Sequence, residues 1–198
     1  MIPRRLARLF LVLAVVGAVA LVYEFYRTAT PGFDRNDPAA VLRAVRDALG
    51  REVNPADICL AVPPHFPDLV VVRFIVPDAG CLVQGLFVRG RWQRGDRATL
   101  DRLGQEMLTA RGWAAASPEA RRTMAREWVV EVLYPDRVVT DAARLPPVLQ
   151  SANLPPPEAR SREDGGVEVR ISVINLTVAG PIPARVTTII GPDGTAGR

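Results

Sequence analysis

Lysine is absent from this chain of 198 residues, and histidine occurs once, at His65. Without lysine there is no lysine-based Schiff-base chemistry and no conventional phosphate-binding loop, whose glycines lead into a lysine. With one histidine, any histidine–metal centre or Ser–His–Asp triad must pass through His65. That residue sits in Pro63-Pro64-His65-Phe66-Pro67, a rigid loop with no carboxylate or second ligand at metal spacing. It reads as a structural or surface histidine. Neither G-x-S-x-G, G-x-G-x-x-G nor H-E-x-x-H occurs. The sequence therefore predicts no catalytic residue, no cofactor site and no metal site.

The plainest positive feature is the N-terminus, where Arg4, Arg5 and Arg8 precede an uncharged run over residues 9–23. Two readings fit. A cleaved signal peptide finds its small-residue site at Ala18-Val19-Ala20. An uncleaved anchor finds 21 mostly apolar residues at 6–26, enough to cross a bilayer core of roughly 30 Å. Tyr23, Phe25 and Tyr26 fall where an interfacial aromatic belt lies, which favours the anchor. The positive-inside rule puts residues 1–8 in the cytoplasm as a basic stub and 9–26 across the membrane. Residues 27–36 follow as a linker, and 37–198 form one extracytoplasmic domain.

Charge adds little. All 25 basic residues are arginine, and alanine, proline and glycine are abundant, the composition of a GC-rich bacterial genome. Setting aside Arg4, Arg5, Arg8 and Glu24 leaves 22 arginines against 20 acids. That balance is no footprint for nucleic acid. Cys59 and Cys81 lie 22 positions apart in the region expected outside the cytoplasm, where a disulfide is the favoured fate and two buried thiols the alternative.

Periodicity then supplies the elements. Asp37, Pro38 and Gly50 bracket a helix with Val41, Leu42, Val45 and Leu49 on one face. Asn54-Pro55-Ala56-Asp57 makes a turn or helical stub before the apolar run 58–62. Leu69–Val76 reads LVVVRFIV, the strongest strand signal. After a turn at 77–80, residues 81–92 return as one strand with Leu82, Leu86, Val88 and Trp92 on one face. Two helices follow. Asp96 caps one, with Leu100, Leu103, Met107 and Leu108 as its stripe and Gly112 as its stop. Ser117-Pro118-Glu119 opens the other, with Ala120, Met124, Trp128 and Val132 inward. Residues 141–166 hold five prolines and read as a long, stiff loop. Strands at 167–176 and 185–190 close the chain, followed by a frayed tail. The fold class expected is α+β, with an antiparallel sheet of about four strands whose apolar face is covered by helices.

Few residues invite chemistry. Glu127 and Glu131 are spaced one helical turn apart, but read as a solvated face pairing with Arg122 and Arg126. Arg89, Arg91, Arg94 and Arg97 form a basic cluster near the hairpin end, a binding candidate for anionic headgroups or an acidic partner. Arg94-Gly95-Asp96 is a chance tripeptide, since Asp96 has a helix to cap. The proline-rich loop is the best binding candidate, because long structureless loops are uncommon in compact domains. The sequence thus points to a membrane-anchored accessory or interaction subunit of the bacterial envelope with a protein partner. A small-ligand-binding module is the alternative, and an envelope hydrolase using Glu127 or Glu131 ranks third. A non-reducing digest should yield a linked Cys59–Cys81 peptide, closing a loop that stabilises the domain by roughly 3 kcal/mol. Recovery of both peptides unlinked contradicts the bridge.

Overall fold

The computed structural model describes residues 34–198 except 51, 77–79, 136, 141–144, 146–148, 150–153, 178–179 and 198. At 74–76, 80–84, 176–177, 180 and 197 it describes the backbone alone. The proposed membrane segment and linker lie largely outside the described residues. Among those that are described, no helix is long and apolar enough to cross a membrane.

Helix α1 (Pro38–Leu49) starts where Asp37 accepts from the Ala39 amide at 2.9 Å and stops at left-handed Gly50. A single helical turn (Pro55–Asp57) leads to β1 (Ile58–Ala61), then β2 (Leu69–Val76), β3 (Gly80–Val88) and β4 (Arg91–Arg94). These four make an antiparallel sheet in chain order. Helices α2 (Arg97–Ala110) and α3 (Pro118–Trp128) come next, and α3 continues as a wider π-type turn over Val129–Leu133. A second antiparallel sheet of four, again in chain order, holds β5 (Glu158–Ser161), β6 (Val167–Thr177), β7 (Gly180–Ile190) and β8 (Ala196–Gly197).

The α+β class holds, but there are two four-stranded sheets where the sequence suggested one. Three local signals account for the difference. Residues 81–92 are not one strand: Arg89 and Gly90 both take positive φ, 48° and 78°, and turn the chain after two residues. Trp92 therefore pairs with Phe87 and faces away from Leu86 and Val88. The charged run after Pro157, read as loop, starts with β5, whose Glu158 and Arg160 form their own ion pair at 2.8 Å on an exposed edge. The tail is held as well, because Ala196 pairs with Ile190.

Burial explains the unbroken apolarity of β2. Val70 and Val72 join Phe87 of β3 against Val41 and Val45 of α1. Leu69 and Val71, one residue out of phase, enter the larger core with Leu86 and Val88. The first sheet is thus covered on both faces, and period two places an apolar residue on each. The larger core is closed by Leu103 and Leu108 of α2, by Met124, Trp128 and Val132 of α3, and by the expected inward row Val167, Val169, Ile171 and Val173 of β6. Ala120 does not join it and is exposed, since the buried face of α3 begins at Met124.

Caps behave as their chemistry requires. Asp96 accepts from the Thr99 amide at 2.8 Å, and that bond holds its carboxyl below the usual carboxylate range. Arg121 ties three segments together. It donates to the carbonyls of Trp113, Ala114 and Gly165, and its guanidinium lies over the Trp113 ring. Gly85 shows how tightly the first sheet is covered: a Cβ there meets the Trp92 ring at 2.2 Å. Gly85→Ala should destabilise the domain by about 1–3 kcal/mol as the ring is displaced. A chemical denaturation curve unchanged from wild type contradicts this packing.

Candidate functional site

The loop from β1 to β2 carries three prolines and one buried aromatic. Phe66 is 2% exposed and stands edge-on to Trp128 of α3, with ring centroids 5.2 Å apart. The Arg111 guanidinium also lies over the Phe66 ring, 5.2 Å from its centroid. Anchoring Phe66 in the core leaves its neighbour His65 at the surface of α3.

There the structure departs from the sequence reading. Glu127 and Glu131 are not a solvated face pairing with Arg122 and Arg126. Their side chains are only 13% and 16% exposed, and both turn to His65. Glu131 takes the His65 backbone amide on Oε2 at 3.1 Å and faces ring Nδ1 with Oε1 at 2.5 Å. Glu127 Oε1 lies 3.5 Å from Nε2, and its Oε2 lies 2.7 Å from Arg111 Nη1. Arg122 instead donates to Ser161 on β5 at 3.1 Å, and Arg126 is exposed. His65 thus has two carboxylate partners. Some 66 residues of chain separate it from Glu131, so no local spacing announces the pair. The signal available was Phe66, an aromatic in a proline-locked loop that has to be buried somewhere, next to the only histidine.

The network lines a recess of about 360 Å³, whose walls are His65, the α3 face with Arg126, Val130 and Glu131, then Thr140, Pro156 and Pro157. A second recess of about 300 Å³ shares Pro156 with the first. Pro155, Pro156, Glu158, Arg170, Ser172 and Arg185 border it. Pro155 and Pro156 are exposed, so the end of the proline-rich segment stands as a ridge between two hollows. The segment is not slack where it is described. Leu149 and Leu154 are buried, and the Pro155 carbonyl accepts from Ser172 Oγ at 2.9 Å.

Chemically, each carboxylate oxygen in the network already faces a nitrogen, and Arg111 offsets one of the two negative charges. Among the described residues, no group of three or more His, Cys, Asp or Glu side chains is arranged to hold a metal ion.

The other candidates lie elsewhere. Arg89 lies in the turn between β3 and β4, Arg91 and Arg94 are the ends of β4, and Arg97 opens α2. Arg89 is bound to Asp68 at 2.9 Å, which raises it above its ordinary value, and Arg97 lies 3.6 Å from Asp101. Cys59 lies on β1 opposite Arg73, and Cys81 on β3 opposite Ile75. The Cys81 side chain lies outside the described residues, and no described cysteine is free. Trp113 and Trp128 are core residues, 1% and 0% exposed. No protein-family model, curated protein or solved structure matches this chain.

Phe66→Ala should cost about 3–5 kcal/mol, because it empties the contact between the loop and Trp128. A loss below about 1 kcal/mol in urea denaturation contradicts the anchoring role.

Proposed function

We propose that this chain is a membrane-anchored extracytoplasmic domain of the bacterial envelope that works by binding, as an accessory or interaction subunit. The observation that carries the reading is the exposed Pro155–Pro156 ridge between two recesses. Prolines lose little conformational entropy on docking, and a ridge pinned by Leu154 and Ser172 is already ordered before a partner arrives. The arginine-rich, apolar N-terminus supports the location: 9–26 as the anchor, the N-terminus in the cytoplasm and the domain outside. Release after cleavage near Ala20 is the alternative placement. The proposed Cys59–Cys81 bridge belongs to the same oxidising setting.

A second reading has its own support. The recess beside His65 combines apolar walls with a few convergent polar groups, the usual make-up of a small-ligand site.

Cross-linking in intact membranes, followed by purification and mass spectrometry, tests the first reading. A reproducible partner at near-equal stoichiometry, with cross-links mapping to the proline ridge, is the expected result. Recovery of the protein alone contradicts it. Protease added outside spheroplasts should degrade the domain, and protection until lysis contradicts the placement.

A further inference from the structure

We propose that His65 is a pH-operated latch that fastens the β1–β2 loop to helix α3 at the wall of the recess beside it.

Both ring nitrogens face carboxylate oxygens, Nδ1 at Glu131 and Nε2 at Glu127. A neutral imidazole carries one N–H and an imidazolium two. Only the doubly protonated ring donates to both glutamates. Losing a proton turns one contact from a donor–acceptor pair into two facing acceptors. With the remaining proton on Nδ1, the bond to Glu131 stays and the lone pair of Nε2 meets Glu127. With it on Nε2, the conflict moves to Glu131. Imidazole is the side chain best suited to such a switch, because it exchanges one proton under mild conditions.

Among the described residues, the charged groups facing His65 are few. Helix α3 presents Glu127 and Glu131, with Arg126 on the rim of the recess. The end of α2 presents Arg111, which is drawn to Glu127 Oε2. The far wall presents Thr140, Pro156 and Pro157, none of which titrates. Within the loop, Asp68 is occupied by Arg89. The ring is half exposed, at 50%, so protons exchange freely with solvent, while the largely buried glutamates are less screened than surface acids.

Phe66 limits what moves. It stays in the core, held by Trp128 and covered by Arg111, whichever form His65 takes. The flanking prolines stiffen the rest. Release is therefore a swing of the ring away from α3 and a loosening of the His65 amide from Glu131. The doubly protonated ring holds both contacts, and the singly protonated ring gives up one of them, so the latch is tighter in acid and looser once the ring is neutral.

A single histidine makes the test clean. The full chain, in detergent micelles with labelled histidine, reports both ring nitrogens by NMR through its titration. Amide exchange of His65 and Phe66 is followed in parallel. On the acid side both nitrogens should carry protons. As the ring deprotonates, exchange of the His65 amide should rise by roughly two- to fivefold, the range of a partly exposed ion pair. His65→Gln, checked for folding by circular dichroism, should exchange at one rate across the same pH range after correction for the intrinsic dependence. Glu127→Gln should keep the Nδ1 contact and lose most of the pH response. Exchange at His65 that does not change as the ring titrates overturns the proposal. So does an unaltered pH response in His65→Gln.

Discussion

Two-sided burial of β2 organises this fold. Val70 and Val72 require a cover on one face, Leu69 and Val71 on the other, and no single layer supplies both. Helix α1 provides the first cover. The second is a composite of α2, α3 and the inner face of β6. Because β2 is clamped on both sides, the loop that enters it at Leu69 is delivered to α3, and Phe66 fills the gap beside Trp128. The position of His65 follows from that packing.

The charged network is secondary to the packing in energy. A partly exposed ion pair contributes up to about 1 kcal/mol, whereas burying an aromatic contributes several times that. What the network adds is direction. Glu131 fixes both the backbone and the ring of one residue, and Arg111 bridges the Phe66 ring and Glu127. The loop is thereby oriented as well as buried. The π-type turn that carries Glu131 is a feature often found where a helix meets a functional site.

Helix ends were legible in the sequence because capping is local. Asp37, Asp96 and Ser117 act within three residues of themselves, and each is where its chemistry puts it. β2 was legible from its β-branched run, although its two covered faces were not. The hairpin at Arg89-Gly90 was missed because an arginine in a left-handed conformation is uncommon, leaving Gly90 as the only turn residue. β5 was hidden by its charges, since an edge strand tolerates Glu158 and Arg160 where an inner strand does not. The candidate site was least legible. Its parts are a histidine in a loop and two glutamates on a distant helix, and only the burial of Phe66 brings them together. The membrane segment and the Cys59–Cys81 bridge still rest on sequence chemistry.

The most direct test of this account is a double-mutant cycle between His65 and Glu131, read as unfolding free energy on the acid side of the imidazole titration. His65→Gln and Glu131→Gln should each destabilise the protein. Together they should cost less than the sum of the two, with a coupling of about 0.5–1 kcal/mol. Strict additivity of the two substitutions contradicts the claim that this pair fastens the β1–β2 loop to α3.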